Sequence, residues 1–279
     1  MISMRCMVIL VLISALASTP GAQSAPADAL HRPFDEILDV QVRDGLVYYR
    51  ALRSERARLD RYVASLDVPP NIYDAWSRDE KAAFWLNAYN AFVLQTVVDR
   101  YPIRGKSSAY PASSIRQIPG AFERHPHRAA GRSVTLDEIE KTILPEFKDP
   151  RLYLALGRGA VGSGRLRSEA FTAGRLAAQL AAVQSEFVTE RAMLTVDRTS
   201  DSITITPIVS WHEAEFVAAY DPGATGTFAQ RSPIERALVA FITAHLLPLE
   251  REFLQQNTFR VTYHPFDWRL NDLTGGRID

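Results

Sequence analysis

Residues 157–167 read GRGAVGSGRLR: four glycines, three arginines and one serine between the apolar run RLYLAL and an amphipathic segment. Residues of these types could do three kinds of chemistry. The first six letters satisfy G-x-G-x-x-G, the dinucleotide fingerprint. That mechanism needs a helix to begin within the glycines and an acid about 20 residues on at a second strand end. Here Gly164-Arg165 follows the third glycine, and the next strand-end acid, Asp197, comes too late. A Walker loop is excluded because no Lys-Ser/Thr pair follows the last glycine. The second chemistry is anion binding, with backbone amides converging in a glycine turn and Arg158, Arg165 and Arg167 as planar clamps for phosphate or carboxylate. The third is nucleophilic catalysis by Ser163, with loop amides as oxyanion hole and His264 with Asp267, or His212, as base and orienter. The G-x-S-x-G elbow is missing.

Elsewhere, His125-Pro126-His127 offers two metal ligands without a third at a recognised spacing, so no metal site is expected. Glu138, Glu140, Glu213, Glu215 and Asp267 are carboxylates available for acid/base work. Asn87 and Asn90 share a segment with Trp85 and Tyr89. Buried amides need partners, so these asparagines either tie the core or floor a cleft.

Positioning such groups falls to elements that the sequence marks well. Ser77-Arg78-Asp79-Glu80 is a capping box opening KAAFWLNAYNAFVLQTVVDRY, apolar on most faces and therefore a long buried helix ending before Pro102. Thr135–Glu138 and Ser232–Glu235 repeat the box, the latter with proline at the first helical position. Pro248 should kink or end the helix of RALVAFITAHLL. Thr172 is expected to cap a helix with Leu176, Leu180, Val183 and Phe187 on one face. AMLTVD and ITITPI flank RTSDS as a hairpin, TFRVTYHP reads as a late strand, and RLYLAL is a short buried run open to either type. Residues 103–132 form the longest loop. The sum is α+β: a mainly helical single domain with a small antiparallel sheet.

The 279 residues carry 32 basic and 32 acidic side chains. A balanced chain gives no bulk electrostatic case for nucleic acid. MISMRCMVILVLISALASTPGAQSA has the basic, apolar and small-residue layout of a signal peptide over residues 1–24, too short for a comfortable span. Residues 25–279 would then be one exported domain, periplasmic or extracellular, with no stable membrane span. Its only cysteine, Cys6, would be lost with the leader, leaving a cysteine-free mature chain. No cofactor is expected.

The segments DGLVYYRAL, WSRDEKAAFWLNAYNAFVLQTVVDRYPI, TLDEIEKTIL, DPRLYLALGRGAVGSGRLRSEAFTAGRLAAQL, ITPIVSWHEAEF and YHPFDWRLND occur in an order that resembles the bacterial and plant family called domain of unknown function 547, with a core of about 33–272. That resemblance implies no particular activity. Where typical members look like H-F-A-L-x-C-A-x-x-S-C-P-P-L-R, this chain has Tyr153 at the histidine, Arg158 and Ser163 at the cysteines, and Gly164 and Arg165 at the prolines. Thiol chemistry at those positions is therefore absent. The primary expectation is binding of a small anionic ligand or an envelope partner through Arg158, Arg165 and Arg167 over Asn87 and Asn90. The alternative is a serine hydrolase or acyl transferase using Ser163, His264 and Asp267. A structural or interaction protein is the third option.

Overall fold

The computed structural model describes residues 26–274; the expected leader, residues 1–24 with Cys6, lies outside them. At the centre runs the helix Arg78–Arg100, with sixteen buried residues from Ala82 to Val98. It is apolar all round because other elements surround it. The helices Pro26–Gln41, Tyr49–Ser54 and Ala57–Ser65 pack on it. Ser77 accepts from the Glu80 N–H at 3.3 Å while the Glu80 carboxylate accepts from the Ser77 N–H at 2.7 Å, so the expected capping box forms. Tyr101 ends the helix in extended backbone ahead of Pro102.

Among the described residues, three small sheets decorate the helical body. β1 (Val42–Arg43) and β2 (Leu46–Val47) form one antiparallel hairpin, and β3 (His127–Ala129) and β4 (Arg132–Val134) another. β5 (Leu194–Asp197) and β6 (Ser202–Ile205) are the hairpin expected around RTSDS, paired Leu194↔Ile205 to Asp197↔Ser202. The late strand β7 (Arg260–Tyr263) joins β6 in parallel, so this sheet is mixed rather than wholly antiparallel. A parallel partner needs a long crossover, and the helices Ile208–Trp211, Glu213–Tyr220, Pro233–Thr243 and Pro248–Gln256 supply it.

Three local expectations resolve in instructive ways. RLYLAL is a short helix, Arg151–Leu154, its dipeptide Asp149-Pro150 turning the chain into it. Thr172 makes no side-chain cap for Ala173–Arg175. Asp28, on the first helix, instead accepts from the N–H groups of Ala173 and Gly174 at 2.7 and 3.4 Å. Pro248 starts a new helix at its first position instead of kinking the one before it, which stops at Thr243.

The final segment closes the molecule. Val161 N–H donates to the Arg269 carbonyl at 2.8 Å and Gly162 N–H to the Asp267 carbonyl at 2.9 Å. The same strap then pairs with β2: Val47 N–H donates to Asn271 O at 2.8 Å and Leu273 N–H to Val47 O at 3.0 Å. Asn271 is held by Tyr49 Oη and by the Gly45 carbonyl.

Candidate functional site

The glycine-rich loop has a structural explanation for its composition. Gly159 lies at φ +66°, where residues with a Cβ are strained. A Cβ on Gly164 would stand 1.6 Å from the Leu154 carbonyl oxygen, and one on Gly162 would stand 2.6 Å from the Asp267 nitrogen. The loop is packed backbone against backbone, and only hydrogen side chains fit there. Six of its amides, those from Gly157 to Ser163 apart from Ala160, are consumed in the same packing. Gly157 N–H donates to Asn90 Oδ1 at 2.8 Å and Arg158 N–H to Ser163 Oγ at 3.0 Å. Gly159, Val161, Gly162 and Ser163 N–H all donate to backbone carbonyls. An anion nest or an oxyanion hole requires amides without internal acceptors, and these six have them.

Asn87 and Asn90 are the groups that hold this arrangement. One turn apart on the central helix, both are buried. Asn87 brackets Phe171, donating to its carbonyl at 2.8 Å and accepting from its N–H at 2.9 Å. Asn90 spans the loop's entry, donating to Ala155 O at 3.3 Å while accepting from Gly157. Each amide uses both its ends internally, so the two act as ties for the chain rather than as ligand contacts.

Beneath the loop lies a buried ionic cluster. The Thr135 capping box begins a helix that widens into a π turn over Ile139–Ile143, which carries Glu140 inward. Arg158, 2% exposed, grips this carboxylate with Nε at 3.1 Å and Nη2 at 2.5 Å, and its Nη1 donates to the Tyr153 carbonyl at 3.1 Å. Tyr89 Oη donates to Glu140 Oε2 at 2.9 Å, and His212 Nε2 lies 3.0 Å from Oε1. The Tyr153 ring stacks on His212 with centroids 3.5 Å apart and planes within 6°. Burial by itself would raise the Glu140 carboxyl; the Arg158 charge and hydrogen bonds from His212 and Arg158 outweigh it and hold the group far below the usual carboxylate range. Burial would lower Arg158, and Glu140 beside it raises it instead. Burial, with the charges of Glu215 and Glu140, pushes the Tyr153 phenol up. Trp211, 45% exposed, sits with its ring centroid 5.8 Å from the guanidinium.

A groove of about 450 Å³ opens on the loop's other side. The β1–β2 turn supplies Asp44, the loop supplies Ser163 and Arg165, and the helix Leu176–Thr189 with the residue after it supplies Glu186, Phe187 and Glu190. Leu154, Val183 and Met193 add apolar lining. Arg165, half-exposed, pairs with Asp44 at 2.7 Å. Arg167 is occupied by Glu169 and Glu186, both at 2.9 Å. The groove thus carries one guanidinium and three carboxylates.

The expected arginine clamp is therefore not assembled. Arg158, Arg165 and Arg167 engage three separate sets of acids, and of the three only Arg165 lines the groove. Nor does the structure link the expected triad. Ser163 is buried and its Oγ accepts from the Arg158 N–H. The Asp267 carboxylate is bound by the Arg269 side chain and backbone. His264 Nε2 is buried without a partner, and no hydrogen bond joins Ser163, His264 and Asp267 among the described residues. His264 and Asp267 instead line a second, smaller pocket of about 170 Å³. No group of three or more metal-ligating side chains occurs among the described residues, and no helix there is long and apolar enough to cross a membrane.

Sequence reasoning had named Glu140, Tyr153, His212 and the asparagines without uniting them. It had missed Asp44, Glu186 and Glu190, which are ordinary surface acids until folding brings them to one groove. A family model described as "Protein of unknown function, DUF547" matches residues 73–188. That span runs from just before the central helix to the end of the Leu176–Thr189 helix, taking in Glu140, Tyr153 and the whole loop. No curated protein and no solved structure matches the chain.

Proposed function

We propose that this chain, a member of the DUF547 family through residues 73–188, is a binding domain for a small peptide-like ligand, held in the groove beside the 157–167 loop. The observation that carries the reading is the groove's make-up. Its volume of about 450 Å³ is in the range of small-molecule sites, and it sets one guanidinium and three carboxylates around apolar walls. A purely anionic ligand, the first expectation from the arginines, would meet Arg165 but also Asp44, Glu186 and Glu190. A ligand with an acceptor at one end and an ammonium at the other complements both signs. The acceptor faces Arg165, and the ammonium faces Glu190, while Glu186 stays paired with Arg167. Apolar side chains of the ligand rest on Phe187 and Met193.

Nothing in this reading requires a nucleophile. Ser163 closes the loop through its hydrogen bond to the Arg158 amide. Arg158 and Tyr153 stand where the resembling sequences have cysteine and histidine, inside the buried ionic cluster. Export through the leader at residues 1–24 is part of the same proposal, and a secreted product starting near Ala25, read by mass spectrometry, tests it.

The binding test is calorimetric titration of the protein with the dipeptide Ala-Ala, compared with propionate and propylamine. Ala-Ala binds more tightly than either fragment. Arg165→Ala weakens it about fivefold, since a half-exposed charge pair is worth about 1 kcal/mol. Glu190→Gln weakens it in the same direction. No heat with any dipeptide, or binding indifferent to both substitutions, overturns the proposal.

A further inference from the structure

The second pocket, of about 170 Å³, lies against the first: both are lined by Val161 and Ala192. Val161 is an exposed ridge between them, its own backbone fixed to the Arg269 carbonyl. Apart from His264, Thr206 and Asp267, the smaller pocket is walled by Pro207, Pro265, Phe266 and the ridge itself. These walls are stiff. Two are prolines, and Phe266 is packed between Trp211 and Trp268 with centroid distances of 4.9 and 4.4 Å. A cavity of roughly 150 Å³ with apolar walls accommodates one benzene ring, so the size here fits a single six-membered ring and little more.

We infer that this pocket is a side-chain subsite of the same cleft and takes an aromatic residue of the ligand, whose backbone lies across the Val161 ridge with its charged ends in the larger groove. The inference rests on the peptide-binding reading above and narrows it from peptides in general to those with a phenylalanine- or tyrosine-type side chain. The charge at the pocket decides among ring types. Asp267 stands at its wall with its carboxylate already matched to Arg269, so a benzoate-type ring brings a second negative charge with no arginine or lysine among the described residues lining the pocket to meet it, whereas a neutral ring carries no such penalty. Aromatic rings favour edge-to-face or offset contacts at centroid separations of about 4.5–7 Å, and Phe266 is the phenyl ring among the residues lining this pocket.

The test compares four dipeptides on the full chain by calorimetry, Gly-Ala, Ala-Gly, Gly-Phe and Phe-Gly, with fluorescence of Trp211 and Trp268 as a local reporter. One of the two phenylalanine peptides binds about tenfold more tightly than its alanine counterpart, the factor that about 1.4 kcal/mol of ring burial represents, and it changes the tryptophan emission. Phe266→Leu, a mild change checked for an unaltered melting curve, removes most of that preference and leaves the alanine peptides as they were. Arg165→Ala weakens all four alike. Equal affinity for phenylalanine and alanine peptides in both registers overturns this inference while leaving the peptide-binding reading intact. Absence of binding by all four overturns both. The comparison of ligands needs no variant, so the result stands even if Phe266→Leu fails to fold.

Discussion

Replacing Glu140 by glutamine tests the central physical claim about the buried cluster. The carboxylate accepts hydrogen bonds from both Arg158 nitrogens and Tyr89 and lies within hydrogen-bonding distance of His212 Nε2, in a site where Arg158 is 2% exposed. The amide keeps the shape but removes the negative charge, and its NH₂ turns one acceptor into a donor. Arg158 is then a buried cation facing only carbonyls and a neutral amide. Removing one partner of a buried pair typically costs about 3–5 kcal/mol because the other charge is left uncompensated. That is a large part of the roughly 5–15 kcal/mol by which a domain is stable. Removing both charges should cost far less, so Glu140→Gln with Arg158→Met should lose well under the sum of the two single losses. Urea denaturation at pH 7, followed by far-ultraviolet circular dichroism, measures all three. A loss under about 1 kcal/mol for Glu140→Gln, or strict additivity in the double variant, would refute the reasoning.

Further outcomes follow from other parts of the structure. His127 is buried with its ring stacked on Phe92 at 4.2 Å, and burial, aided by the charge of His125, pulls it down to about 4 from 6.5. Its pKa is depressed by folding, so between pH 6.5 and about 4 the unfolded chain takes up a proton there that the native chain refuses, and stability falls as pH falls. Each such histidine contributes up to about 1.4 kcal/mol per pH unit. His127→Phe should flatten the acid side of the stability profile between pH 6.5 and 5, and an unchanged slope would count against the assignment. Glu140 is also depressed by folding, here because the charged form is favoured: its stabilisation is complete above the ordinary carboxylate range and drains away as pH falls below it, so Glu140→Gln should show a shallower loss below about pH 4.5 than the wild type. Gly164→Ala places a Cβ 1.6 Å from Leu154 O and should abolish soluble folded protein, whereas Gly174→Ala, whose nearest neighbour lies at 3.8 Å, should be tolerated. Ser163→Ala leaves the Arg158 N–H without its acceptor and should cost about 1–3 kcal/mol in denaturation. A serine-reactive phosphonate should label wild type and Ser163→Ala equally little.

The helical frame was legible because its signals are local. Three capping boxes and an apolar run between Ser77 and Pro102 each declare an element within a dozen residues. Strand pairing was legible only for the hairpin. The parallel union of β6 with β7 depends on residues 55 or more positions apart, which no periodicity reports. The same limit governed the site. The arginines of the loop suggested anion binding, yet Arg158 found Glu140, eighteen residues earlier, and Arg165 found Asp44, 121 residues earlier. The glycines matched a nucleotide fingerprint in letters, but the cause is steric: Leu154 and Asp267 approach too closely for any Cβ. Asp28 replacing Thr172 as cap makes the same point, since a distant carboxylate can take over a role that the local sequence seemed to fill.

The strap between Asp267 and Leu273 also sets an order of events during folding. Val47 exchanges hydrogen bonds with Asn271 and Leu273, and Tyr101 reaches Asp272 at 2.7 Å, a separation of 171 positions. These partners lie more than 170 positions apart and meet only when the strap docks. Asn271 lines the larger groove and Phe266 the smaller one, so both recesses stay incomplete until this strap has docked. Contacts of such span slow folding, because a long loop must close before they contribute. The helical body can collapse early around Arg78–Arg100, while the walls of both recesses are completed only when the distant strap comes in.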